Sequence, residues 1–173
     1  MTDDDDGDED GPPPLPGGKF YMTPTGHAAL HASFAGFKTE RHRVVEIVSW
    51  AASNGDRSEN ADYKEGKRRL REIDRKLRFI ERRLAYAEVV DPATQTQRDR
   101  VFFGATVTYA TDDAERTVTI VGVDEADMAH GKVSIASPIA RALLRARVGD
   151  EVRVPTPGGA AIIEVTAIAY PAA

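Results

Sequence analysis

The sequence predicts an α+β protein, an N-terminal antiparallel hairpin of two long helices followed by a small antiparallel β-sheet domain with one short helix. Three observations carry that reading. Apolar or small residues at Tyr63, Gly66, Leu70, Ile73, Leu77, Ile80, Leu84 and Ala87 alternate at spacings of three and four, the seam of a two-stranded coiled coil. Residues 23–53 carry a partial copy of that seam, joined to the first by a short polar stretch. From Val101 onward the period falls to two and β-branched residues dominate, as half-buried strands require.

The elements follow in order. Residues 1–18, "MTDDDDGDEDGPPPLPGG", hold seven acids and no base among many prolines and glycines, a composition expected to stay disordered because it has little apolar surface to bury. Without those seven acids, 28 becomes 21 against 23 Lys plus Arg, and the formal charge moves from -5 to +2. The tail either shields the basic remainder or serves solubility, the simpler use. The hairpin is expected over 19–90, with its tip at 54–62. Thr23 is the expected cap of the first helix and Pro24 its first residue. Leu30, Phe34, Phe37, Val44 and Val48 form its seam, with Arg41 at the skipped core position. The second helix is expected from Ser58 to about Val89. A few polar residues between the arms favour a hairpin within one chain, and some 30 residues per arm make a rod about 45 Å long.

A polar linker, residues 91–100 with Pro92, leads to the second domain at 101–173. Its expected strands are "VFFGATVTYA", "RTVTIVGV", "KVSIAS", "DEVRVP" and "AAIIEVTAIAY". In "SPIARALLRARVGD", Ser137 is the expected cap, Pro138 fits the first turn, Ile139, Leu143 and Leu144 share an apolar face, and Gly149 suits a left-handed ending.

Several classes of chemistry are excluded or unsupported. With no cysteine there is no disulfide and no thiolate metal site. The acidic, proline-rich start lacks the positive and apolar regions of a secretory signal, and no stretch approaches the roughly 20 apolar residues of a membrane span, so the cytoplasm is the expected compartment. His27, His31, His42 and His130 lack the spacing of a closed metal site. "TPGG" at Thr156 to Gly159 reads as a hairpin turn, and no Ser, His, Asp set suggests a nucleophile.

The tip segment "SNGDRSENADY" admits two readings. Asp56 with Glu59 three residues later resembles a capping box, with Asn54 and Gly55 in the turn before it. The same two carboxylates, on one side of a turn, suit one flank of a divalent cation. Mg²⁺ wants six oxygens, so a second molecule would have to complete such a site. Behind the tip, Arg57, Lys64, Lys67, Arg68, Arg69, Arg71, Arg75, Lys76, Arg78, Arg82 and Arg83 make the second helix strongly basic. Pairs such as Glu65 with Arg69, Glu72 with Lys76 and Asp74 with Arg78 would turn part of that charge into a solvated face. The excess reads as a surface for phosphates.

The stretches "WAASNGDRSENADY", "KRRLREIDRKLRFIERRL", "VVD", "VFFGATV", "IVGVDE" and "SPIARALLRARVGDEV" resemble the Gre transcript cleavage factors of bacterial RNA polymerase, the GreB branch in particular. That resemblance implies an FKBP-like C-terminal domain without isomerase chemistry. It also implies a hairpin that enters the polymerase's secondary channel when the RNA 3′ end has backtracked. Asp56 and Glu59 match the tip acids that help hold a second Mg²⁺ beside the polymerase's own aspartates, and Ser58, Asn60 and Tyr63 would shape the tip. Arg57, Lys67, Arg68, Arg71 and Arg75 would lie along extruded RNA or the channel wall, and Ser137 and Pro138 would dock on the channel rim. The factor so implied is a monomeric accessory protein, with no cofactor of its own and with cutting done by the polymerase, which it would follow to the nucleoid. His42 and Ala136 depart from the family's usual residues. Two other readings stay open: a secondary-channel regulator that inhibits without stimulating cleavage, and a peptide-binding or isomerase module with the hairpin as a chaperone arm.

Overall fold

The computed structural model describes residues 18–54 and 60–172. Thr23 opens helix α1 (Pro24–Ser53) as expected, its hydroxyl accepting the Gly26 N–H at 3.0 Å while Pro24 occupies the first turn, where no N–H is needed. Helix α2 (Ala61–Ala85) packs along it. Ala51 meets Asn60, Val48 meets Gly66, Arg41 meets Asp74 and Phe37 meets Lys76. One number falls as the other rises, so the arms run antiparallel, and at 1.5 Å per residue α1 is about 45 Å long.

A two-helix rod buries only its seam. In α2 the buried seam positions are Gly66, Ile73 and Ile80, while Leu30, Phe34, Phe37, Val44 and Val48 on α1 are half-buried. Gly66 belongs there because a Cβ would lie 2.4 Å from the Val48 Cγ2, too close for contact. At the skipped core position, Arg41 Nε donates to Asp74 Oδ1 at 2.7 Å, so an ion pair fills the gap in the apolar register.

The seam expected to run to Ala87 ends two residues sooner. α1 begins at Pro24, so beyond Ala85 there is no helical partner to bury against, and the chain extends instead. Strand β1 (Phe20–Met22) pairs in parallel with β2 (Ala87–Val89). The Phe20 N–H donates to the Tyr86 carbonyl at 2.9 Å and the Val90 N–H to the Met22 carbonyl at 2.8 Å.

The second domain is a five-stranded sheet with spatial order β5-β4-β3-β7-β6. Its strands are β3 (Thr106–Ala110), β4 (Glu115–Val121), β5 (Lys132–Ser134), β6 (Glu151–Thr156) and β7 (Gly159–Ala169). Side chains alternate as the period of two requires. Val107 and Tyr109 point into the core while Thr106 and Thr108 face out, their hydroxyls 2.9 Å from those of Thr119 and Thr117. Helix α3 (Pro138–Leu143) seats Ala140 and Leu143 in the core beside Val101, Ile120, Val133 and Val165. Ser137 caps it, accepting the Ala140 N–H at 3.2 Å.

Three details differ from expectation. The sheet is antiparallel except between β4 and β5, which run parallel because residues 122–131 form two 3₁₀ turns that carry the chain back before β5 starts. The strand expected from Val101 starts at Thr106. Gly104, at φ +81°, turns the chain under Pro92, and a Cβ there would lie 2.2 Å from the Pro92 Cγ. The left-handed residue after α3 is Arg145 at φ 73°, not Gly149, because the chain leaves the helix early to hydrogen bond Val101 through Arg145 N–H at 2.7 Å and the Ala146 carbonyl at 2.9 Å. Gly149, at φ +91°, serves the turn into β6. The "TPGG" stretch is the β6–β7 hairpin turn, with Thr156 paired to Gly159.

Two side-chain clusters fix the hairpin to the sheet domain. Glu125, on the first 3₁₀ turn, accepts the Thr23 N–H at 3.0 Å, the Thr23 hydroxyl and the Gly122 N–H at 3.1 Å. Arg83, only 3% exposed, lies with its guanidinium 3.9 Å from the Phe20 ring centre and 4.9 Å from that of Phe79, and it faces Asp124. Burial lowers the Arg83 pKa and raises that of Asp124, while each partner's charge opposes the shift in the other.

Candidate functional site

The far end of the rod is built on one carbonyl. Asn54 ends α1, its N–H reaching the Ala51 carbonyl at 3.3 Å and its side-chain amide the Trp50 carbonyl at 2.9 Å. Asn60 begins α2, its Oδ1 accepting the Tyr63 N–H at 3.1 Å and its Nδ2 donating to the same Ala51 carbonyl at 2.8 Å. Ala51 is 1% exposed, so these bonds are made at the one buried position of α1 and hold the two arms at a fixed separation.

Asp56, Arg57, Ser58 and Glu59 lie outside the described residues, so the expected capping box and the expected cation flank both fall there. The structure nevertheless corrects one part of that expectation. The cap of α2 is Asn60, and the helix starts at Ala61 rather than Ser58. The sequence carried this signal, since asparagine is among the strongest caps and Asp62 in the first turn suits the helix dipole. The Tyr63 N–H is therefore satisfied without a carboxylate from the turn. Tyr63 is half-buried at the base of the tip.

Of the residues expected along RNA or the channel wall, Lys67, Arg68, Arg71 and Arg75 are all exposed. Arg68 bridges Glu65, through its Nε at 2.9 Å, and Glu72, through Nη1 at 2.6 Å. Its hydrogen bonding holds the Glu65 carboxyl below the usual value. Arg69 crosses to α1, with Nε 2.7 Å from Glu40 and Nη1 3.0 Å from Glu72. Glu72 thus serves Arg68 and Arg69 within α2, while Asp74 with Arg41 and Glu40 with Arg69 are the ion pairs that cross-link the hairpin. Farther from the tip, Arg75, Lys76, Arg78, Phe79 and Arg82 line a groove of about 400 Å³ whose upper end is Arg69 and Glu72.

Sequence reasoning passed over Trp50 and Ile47. They are 65% and 52% exposed on the outer side of α1, within about two turns of Ser53. Both fall off the heptad seam, which was the available signal. At the other end of the molecule, Ser137 is committed to capping α3 and Pro138 is exposed beside it. Among the described residues, no group of three or more His, Asp or Glu side chains is placed to hold a metal ion. His27 and His31 stack edge to face at 4.6 Å. No helix among the described residues is long and apolar enough to cross a membrane.

Residues 20–89 match the family described as transcription elongation factor, N-terminal, and residues 95–170 match transcription elongation factor, GreA/GreB, C-term. Transcription elongation factor GreB of Neisseria meningitidis serogroup B is 53% identical over 154 residues, 88% of this chain and 94% of that protein. Transcription elongation factor GreA of Hyphomonas neptunium is 43% identical over 152 residues, 86% and 96% of the two chains. Among solved structures, GreA factor homolog 1 of Thermus thermophilus is 22% identical and aligns over 87% of this chain and 99% of its own, with a TM-score of 0.41.

Proposed function

The chain belongs to the GreA/GreB family of transcription elongation factors, in its GreB branch, and we propose that it rescues backtracked bacterial RNA polymerase by carrying two carboxylates into that enzyme's catalytic centre. The hairpin enters the secondary channel tip first, and the polymerase cuts the extruded RNA near its 3′ end. The factor itself supplies no complete active site.

One observation supports this reading above the others: Asn54 and Asn60 both anchor on the Ala51 carbonyl, at the far end of a rod about 45 Å long. Asp56 and Glu59 fall in the short connection between those anchors. With Asn60 capping α2, that helix does not draw on them for the Tyr63 N–H. Two carboxylates are the donor set that Mg²⁺ takes when phosphates and other groups complete its shell. Asp56 and Glu59 would hold a Mg²⁺ jointly with the polymerase's aspartates, and such an ion, when bound, stabilises the attacking and leaving oxygens of a displacement.

The remaining residues act through position and charge. Lys67 and Arg71 present cations to extruded RNA or channel wall, joined by Arg68 and Arg75 and, at the tip, by Arg57. Trp50 and Ile47 offer apolar contacts to the channel, and Pro138 with the Ser137 corner meets its rim. The place of action is the cytoplasm, on the transcribing polymerase.

The test is a stalled, backtracked elongation complex incubated with the wild-type protein, Asp56→Ala or Glu59→Ala. The wild-type protein shortens the RNA; each variant binds the polymerase and loses most of that activity. Equal shortening by all three removes the tip acids from the mechanism.

A further inference from the structure

We propose that the acidic segment, residues 1–17, docks along the basic groove of α2 and screens it until a stronger polyanion displaces it. The groove around Phe79 is lined by five cations; Arg69 among them is engaged by Glu40 and Glu72, and the docking draws on Lys76 and Arg82. The segment carries seven acids and no base. Charges are segregated between these two parts: without the seven acids the formal charge moves from -5 to +2.

Placement makes the pairing local. The described chain starts at Gly18, and Phe20 lies against the same guanidinium, that of Arg83, as Phe79 does. Phe79 is also the apolar floor of the groove, so the segment joins the fold at the groove's lower end. Lys19 is held there by Glu88 at 2.6 Å.

Length fits as well. Asp10 is eight residues before Gly18, and the intervening Pro12, Pro13, Pro14 and Pro16 favour an extended chain. At about 3.1 Å per residue that spans about 25 Å. Climbing α2 from Ala85 to Arg69 takes about 24 Å at 1.5 Å per residue. Asp10 therefore reaches the groove's upper end at full extension, and any slack brings acids onto Lys76 and Arg82. Tethering also makes the contact intramolecular, with a high effective concentration. The face so covered adjoins Lys67 and Arg71, so docking would set a salt-dependent threshold for binding anionic polymers.

The docking is tested without polymerase, so its failure and that of the cleavage reading are separable. The chain has no cysteine, and Gly7→Cys gives one site for a nitroxide label on the full-length protein. At about 50 mM salt the amides of residues 75–82 lose most of their NMR intensity, while those of β6 and β7 keep theirs. Near 1 M salt, where the screening length falls to about 3 Å, the loss disappears. The double change Lys76→Glu and Arg82→Glu also removes it. Broadening that is absent, or equal over all exposed amides, or that survives the double change overturns the proposal. So does broadening in a mixture of labelled unenriched and unlabelled ¹⁵N-enriched chains equal to that within one chain.

Discussion

Arg83 Nε stands 3.2 Å from the Asp124 carboxylate, and this contact joins the hairpin to the sheet domain through an arginine that is 3% exposed. The Nε is close enough for an ion pair and makes no hydrogen bond. Charge, with two aromatic faces, is what keeps this side chain in place. The direction in which the rod leaves the sheet domain rests on that cluster and on Glu125.

Replacing Asp124 with asparagine leaves a buried cation facing a neutral group. The loss is expected to be at most about 3 kcal/mol, the lower end of the range for breaking a buried pair, because the Asp124 side chain keeps 22% of its surface exposed and its neutral replacement is relieved of the carboxylate's desolvation. Urea unfolding measures it. The double variant Arg83→Met, Asp124→Asn should recover most of the loss, since Phe20 and Phe79 offer methionine an apolar site. A double variant as unstable as the single one would show that the charge is not the issue.

The same pair sets a pH dependence. Burial raises the Asp124 pKa above the ordinary 3.8, and Arg83 pulls it back. A carboxyl whose pKa is higher folded than unfolded favours the fold below the unfolded value, and that contribution is lost as pH rises through the folded one. At neutral pH the Asp124 carboxylate is thus a cost offset by Arg83. Arg83→Met should move the Asp124 midpoint higher still, as read by carboxyl NMR; an unchanged or lower midpoint contradicts the assignment.

Two glycines separate packing from propensity. Gly66→Ala gains helix propensity of about 1 kcal/mol and meets Val48 at 2.4 Å. A net loss of about 1–2 kcal/mol is expected from the overpacking, reversed by adding Val48→Ala. Around Gly36 nothing lies within 4 Å of the point a methyl carbon would occupy, so Gly36→Ala should stabilise by about 1 kcal/mol. Thermal unfolding of the variants distinguishes the two cases.

Asn60→Ala removes both the cap of α2 and the tie to the Ala51 carbonyl. About 1–2 kcal/mol should be lost, with faster hydrogen exchange at Tyr63. Asn60→Asp keeps the acceptor and loses the donor, so it should protect the Tyr63 amide while loosening the end of α1. Equal exchange at Tyr63 in wild type and Asn60→Ala would contradict the cap.

Glu125→Ala strips acceptors from the Thr23 N–H, the Thr23 hydroxyl and the Gly122 N–H, for an expected loss of about 2–3 kcal/mol. A Cβ on Gly26 would meet the Glu125 carboxyl carbon at 2.2 Å. Gly26→Ala should therefore be costly alone and nearly neutral beside Glu125→Ala. Additive losses in that double-mutant cycle would disprove the contact.

What the sequence determined by itself is everything governed by local chemistry. The heptad seam from Tyr63 to Leu84, the Thr23 and Ser137 caps with their prolines, the alternation at Val107 and Tyr109 and the turn at Thr156 to Gly159 each follow from backbone periods and short-range hydrogen bonds. The family's motif stretches were legible for the same reason, being contiguous. Tertiary structure decided what depends on which surfaces meet. The pairing of β1 with β2 joins three-residue strands 67 positions apart, too short to carry a pattern. Arg83 looked like one more solvated base and became the buried pivot of the joint, because Phe20 and Asp124 reach it from two other elements while Phe79 flanks it on its own helix. Arg41 filled a break in the seam only because Asp74 stands opposite. A charge declares its sign in the sequence, but its burial and its partner exist only once the chain has folded around it.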